Sequence, residues 1–155
     1  MTARLCIILL VSFAAVGCDR IVVRKPTAAD LAGSYALTRD SEAFLKKELK
    51  YATVAGSKIQ IDGDGALRWE NLPDCLFSPT GEAGGCFESF TGKWKIERYF
   101  YTFAIEPTMR KDGGPSDVLY AGPTMFLLKR SSLTLELMIG DPDSGVSIYY
   151  EKRQG

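Results

Sequence analysis

Alternation of apolar and polar residues with a period of two, broken again and again by turn residues, constrains this chain more than any other feature. Ile59 and Ile61 alternate with Lys58, Gln60 and Asp62, Leu67 and Trp69 with Arg68 and Glu70, and Trp94 and Ile96 with Lys93, Lys95 and Glu97. Successive side chains of a strand point to opposite faces, so each segment reads as a strand with one apolar and one wet face. Asp62-Gly63-Asp64-Gly65 joins the first two as a hairpin, because glycine accepts the positive φ of a tight reversal. The aromatic run 99–105 is either a second strand, turned near Glu97 to Tyr99, or the continuation of one long bent strand.

The same pattern extends to both ends of the folded body. Residues 33–38 form a first strand with Tyr35 and Leu37 on one face. After glycine and proline punctuation over 107–115, residues 118–120 and 124–128 form a strand region interrupted at Gly122-Pro123, where proline argues against an unbroken central strand. Residues 134–139 and 146–150 form a last hairpin across 140–145. Only one helix stands out: Asp40 or Ser41 caps it, and Phe44, Leu45 and Leu49 form its apolar stripe. So short a helix must pack on something, and it is expected to cover an open end or an edge of the sheet. About seven or eight short strands in local succession predict an all-β fold, a small antiparallel barrel of about eight strands with one short N-terminal helix. Closure is favoured because it hides the sheet edges.

The amino terminus has a different character. Arg4 precedes an almost wholly apolar run over 5–16, and Ala15-Val16-Gly17-Cys18 follows it. A dozen apolar residues fall short of the roughly 20 that span a bilayer as a helix, and they fit the centre of an export signal. The stretch resembles the bacterial lipobox, which implies diacylglycerol on Cys18 and cleavage before it. Asp19 resembles the signal that keeps some lipoproteins at the inner membrane, with the outer membrane as the alternative. The expected organisation is a signal peptide over 1–17, a lipidated tether over 18–30 and a single barrel domain over 31–155, in the periplasm. Arg20, Arg24 and Lys25 on the tether either meet anionic headgroups or belong to a solvated spacer.

Charge and cysteine use narrow the chemistry. The chain has 19 basic and 19 acidic side chains and no histidine. No clustered basic excess suits nucleic acid. Without histidine, Ser-His-Asp and Cys-His catalysis and the commonest nitrogen ligand of zinc are gone. Cys6 leaves with the signal and Cys18 takes lipid, so export predicts a disulfide between Cys75 and Cys86. Asp62 with Asp64, and Asp141 with Asp143, are explained by turns rather than by a metal, and no cofactor is expected. Glu70, Asp74, Glu82 and Glu88 carry no sign of a paired catalytic arrangement, and the protein is read as a non-enzyme.

Leu31-x-Gly33-Ser34-Tyr35, Leu72-Pro73-Asp74-Cys75, Thr91-Gly92-Lys93-Trp94-Lys95-Ile96 and 139–145 resemble a group of small bacterial lipocalin-like lipoproteins, over most of residues 31–152. The resemblance implies the barrel and carries no catalytic constellation. From the compartment and a restrained 73–90 loop, the leading expectation is a tethered protein-binding module, such as an inhibitor or immunity protein against an exported toxin or lytic enzyme. Its contact set would be Asp74, Leu76, Phe77, Glu82, Phe87, Glu88 and Phe90. The alternatives are a barrel that binds a small apolar ligand or lipid, and an envelope structural or assembly lipoprotein. Trp69, Trp94, Tyr99, Tyr101 and Phe103 supply apolar surface for such a ligand or fill the core.

Overall fold

The computed structural model describes residues 22–54, 56–78, 80–115, 118–129 and 132–153. Among the described residues two α-helices, α1 (Ala28–Leu31) and α2 (Arg39–Lys47), accompany nine strands: β1 (Gly33–Leu37), β2 (Lys58–Ile61), β3 (Ala66–Pro73), β4 (Phe87–Tyr99), β5 (Thr102–Lys111), β6 (Tyr120–Ala121), β7 (Met125–Lys129), β8 (Leu133–Met138) and β9 (Ser147–Lys152). Every pairing is antiparallel. Around the ring the order is β4-β3-β2-β1-β9-β8-β7-β5, and β4 pairs with β5 to close it. The result is the expected antiparallel barrel of eight staves. Two-residue β6 is not a ninth stave: it lies on the same edge of β5 as β7, and Gly122-Pro123 breaks one stave into these two pieces.

Antiparallel succession sorts the connections. The β2–β3, β4–β5 and β7–β8 connections lie at the end where α1 leads into β1, and the β1–β2, β3–β4, β5–β6 and β8–β9 connections lie at the end where α2 follows it. Tyr35 donates its hydroxyl hydrogen to the Leu31 carbonyl at 2.7 Å, and Lys152 donates to the Asp30 carbonyl at 2.7 Å, which ties α1 to its end. At the other end Thr38, rather than Asp40 or Ser41, caps α2 by accepting the Ser41 N–H. Ser41 in turn accepts the Tyr149 N–H at 2.8 Å, and Leu45 is fully buried, so the helix covers an end as expected.

Side chains fill the barrel. Trp69, Tyr35, Tyr150, Ile59, Ile61, Ile105, Met109, Met125 and Leu127 are all essentially without solvent contact. A β-bulge sets part of this pattern: Glu70 and Asn71 stand opposite Ser89 alone, Asn71 takes a φ of 53°, and both Trp69 and Leu72 consequently face inward. Pro107, read from sequence as punctuation, sits inside β5. Its carbonyl accepts the Gly122 N–H at 3.1 Å, so its missing donor faces the broken stave, where no ladder bond is lost.

The disulfide expectation is corrected. Cys75 and Cys86 are both free thiols, the first buried and the second exposed. Cys75 belongs to a 3-10 turn, Asp74–Phe77, and joins the core, while the Cys86 sulfur leans toward the Gly84 carbonyl at 3.8 Å. Asp74 restrains the loop instead. Its carboxylate accepts the backbone N–H groups of Gly84 at 3.0 Å and Cys86 at 3.3 Å, and also the Tyr51 hydroxyl. Cys18 and the rest of the expected signal lie outside the described residues.

Candidate functional site

Side chains occupy the interior, and an apolar concavity among the described residues lies on the outside of the wall. It is an open groove of about 650 Å³. Leu76, Phe77 and Ser78 bound it at the α2 end, Gly140 and Pro142 join them there, Pro123, Thr124, Phe126 and Met138 form its floor, and Tyr99 and Phe100 close it toward the α1 end. It therefore takes residues from both ends of the barrel, an elongated arrangement. No charged side chain contributes to the lining, and the volume falls within the usual range for small-molecule sites.

Strand geometry explains the wall. Met125 and Leu127 point inward and are buried, so the intervening Phe126 points out; Leu137 is buried, so Met138 points out. Tyr99 meets Phe126 edge-on with ring centroids 5.4 Å apart. Its hydroxyl donates to Glu106 at 3.0 Å, and Lys95 bridges Glu106 at 2.9 Å and Glu97 at 2.8 Å. The Lys95 ammonium, helped by the Tyr99 hydroxyl, holds the Glu106 carboxyl below its ordinary range. These exposed ion pairs add little stability; they fix the direction in which Tyr99 points.

Leu76 and Phe77, expected in a partner-binding set, line this groove. The remaining members go elsewhere. Asp74 is committed to the loop latch, Phe87 stacks on Tyr51 at 5.1 Å, Phe90 is buried with its ring 4.8 Å from that of Phe77, Glu88 pairs with Lys111, and Glu82 is exposed. β4 begins at Phe87, so Phe87, Glu88 and Phe90 belong to the wall rather than to a loop. The residues that sequence reasoning missed include Phe100, Phe126, Met138, Pro123 and Pro142. Phe126 and Met138 were legible as outward apolar residues on strands, a signal that gains meaning only once the wall on each side is known.

Polar groups in the core are few. The Tyr150 and Ser57 hydroxyls lie 2.6 Å apart, and the Tyr51 hydroxyl accepts the Cys75 N–H at 3.1 Å while donating to Asp74. Burial pushes the phenols of Tyr35, Tyr51 and Tyr150 well above their ordinary value, and Asp74 adds to the effect at Tyr51. Burial likewise raises the Cys75 thiol. The Trp69 indole N–H has no partner among the described residues. Asp64 accepts the Ala66 N–H and Asp141 the Asp143 N–H, both at 2.9 Å, so these acids serve their turns.

A second concavity lies at the α1 end. This recess of about 630 Å³ beside α1 is bordered by Val22, Arg24, Lys25, Asp30, Lys129 and Leu133, among others. No helix of the described residues is long and apolar enough to cross a membrane. Compared with protein-family models, curated proteins and solved structures, the chain matches none.

Proposed function

We propose that the protein is a non-catalytic, membrane-tethered barrel that binds a small apolar ligand, an extended acyl-type chain, in the groove between Phe126, Met138 and the Leu76-Phe77 turn. The observation that carries this reading is an uncharged, elongated concavity of about 650 Å³ whose wall includes Phe77, Tyr99, Phe100, Phe126 and Met138. Apolar contact along its length gives affinity, while Ser78 and Thr124 supply the only side-chain hydroxyls apart from that of Tyr99 for orienting a polar head. The protein-recognition reading loses its main support, because its residues divide between core, latch and wall. Lipid attachment at Cys18 would keep the barrel where such ligands are concentrated.

Titration with a fluorescent long-chain fatty acid tests the groove. Saturable binding is expected, and Met138→Asp should weaken it about tenfold or more by placing a charge in an apolar wall, with the melting temperature nearly unchanged. Absence of saturable binding, or equal affinity in Met138→Asp, would refute the assignment. For the tether, Cys18→Ala should move the protein from the membrane to the supernatant, and full retention on membranes would remove the lipid-anchor reading.

A further inference from the structure

We propose that the α1 end of the barrel lies against an anionic phospholipid surface, with Phe100 and Tyr101 as its interfacial anchors. The two residues form the whole reversal between β4 and β5, since Tyr99 and Thr102 are still paired. Phe100 is 88% exposed and Tyr101 83% exposed, so two adjacent aromatic rings stand in water at the tip of a hairpin. The backbone makes the choice costlier still. Phe100 has a φ of 41°, in a first turn position where glycine is usual. Neither the turn nor the core requires an aromatic residue there, and the rings have the shape and polarity that settle at headgroup depth.

The same end of the barrel carries a cluster of cations, while its acids Asp62 and Asp64 serve the β2–β3 turn, Asp62 accepting from the Gln60 amide and Asp64 from the Ala66 N–H. Arg24, Lys25 and Lys129 border the recess beside α1 at this same end. The one acid in that recess, Asp30, is already engaged: its carboxylate accepts the Thr27 N–H at 2.8 Å and the Thr27 hydroxyl at 2.7 Å. Val23, 82% exposed, lies between Val22 and the basic pair. Val22 borders the same recess, which puts the 22–25 stretch at the end that carries the aromatic tip. Basic side chains near an anionic leaflet and aromatic rings in its interface reinforce each other. A protein partner receives such anchors best from a flat or concave surface; a convex two-residue tip at the same end of the barrel as these cations suits a deformable bilayer.

Phe100 also borders the groove but Tyr101 does not, so the test is read at Tyr101. The proposal is tested with the full chain as processed by its source cell, reconstituted in phosphatidylglycerol-containing vesicles whose acyl chains are brominated. Tyr101→Trp should add emission that is blue-shifted and quenched about twofold or more, because bromine quenches only at close range in the bilayer interface. Asp143→Trp, at the opposite end, should add emission that is not quenched. Equal quenching at both positions, or no quenching of Tyr101→Trp while the protein sediments with the vesicles, overturns the proposal and leaves the anchor at Cys18 standing. A shift of Tyr101→Trp emission in lipid-free cell extract but not with vesicles assigns the tip to a protein and also overturns it. Met138→Asp should leave the Tyr101→Trp quenching unchanged, which separates this surface from the groove.

Discussion

The Asp74 carboxylate accepts the backbone N–H of Gly84, ten positions further along the chain, at 3.0 Å. The Cys86 N–H and the Tyr51 hydroxyl reach the same carboxylate, and the Asp74 N–H donates to the Cys86 carbonyl at 3.1 Å. One acid therefore closes the 74–86 loop, orients a buried phenol and, through it, the Cys75 backbone. The loop's other side rests on the β8–β9 connection: a Cβ on Gly140 would stand 2.8 Å from the Gly81 nitrogen. Leu76 and Phe77 are held in the groove wall by this latch and not by a covalent bridge.

Asp74→Ala should accordingly cost about 2 kcal/mol, because hydrogen bonds to a charged acceptor contribute more than neutral ones and three donors lose their partner. Asp74→Asn should cost less, since it retains an acceptor oxygen. Urea denaturation gives the stabilities. Hydrogen exchange should show faster exchange at Gly84 and Cys86 in Asp74→Ala, with the β7–β8 amides little changed; uniform acceleration across the barrel would count against a local latch.

The two free thiols should differ in reactivity. Cys75 is buried with its thiol raised by burial, whereas Cys86 is exposed. Thiolate is the reacting form, so a neutral alkylating reagent should label Cys86 in the native protein and leave Cys75 until the chain unfolds. Peptide mapping after brief treatment reads this directly, and equal labelling of the two would contradict the packing of Cys75.

Much of the barrel was legible because its wall has one wet face. Ile59 with Ile61 and Leu67 with Trp69 were identified as strands by alternation, 146–150 as the second strand of a hairpin across 140–145, and the break at Gly122-Pro123 was marked by its proline. Where alternation fails, so did the reading. The bulge at Asn71 inverts the phase before Leu72, and the 100–101 reversal contains Phe100 and Tyr101 in place of turn residues. Pro107 was misjudged because the stave facing its nitrogen is itself broken, a fact of pairing that no local window contains. The disulfide expectation rested on compartment and count, but a bridge needs Cβ vectors that converge. Cys75 instead turns into the core. The groove was least legible, since four separate segments build it.

Gly92 on β4 leaves no room for a side chain against β5. A Cβ there would lie 2.1 Å from the Thr108 carbonyl oxygen and 2.8 Å from the Met109 Cα, both backbone atoms that cannot swing aside. Gly92→Ala must separate the two strands that close the barrel, and should cost about 3 kcal/mol or more, near the upper range for single substitutions. Gly113→Ala is the control, with open space but a φ of 75° and hence only local strain, worth about 1 kcal/mol. Comparable melting temperatures for the two variants would show that closure tolerates the wider spacing.

Stability should have an alkaline limit. With no histidine in the chain, no side chain of ordinary pKa titrates between pH 6 and 8, so stability should be nearly flat there. Tyr35, Tyr51 and Tyr150 behave differently, because burial favours their neutral form and raises each folded-state pKa. An acid whose pKa is raised on folding contributes stability that is fully present below its unfolded value, about pH 10, and is lost as pH climbs toward the folded value. Each tyrosine held protonated in the fold while its unfolded counterpart ionises removes about 1.4 kcal/mol per pH unit. Tyr150→Phe deletes one such group together with its bond to Ser57. It should therefore be less stable than the parent at pH 7 and should lose less stability between pH 10 and 12. Denaturant midpoints across that interval decide the matter: parallel losses in parent and variant would mean that Tyr150 ionises in the folded barrel as readily as in the unfolded chain.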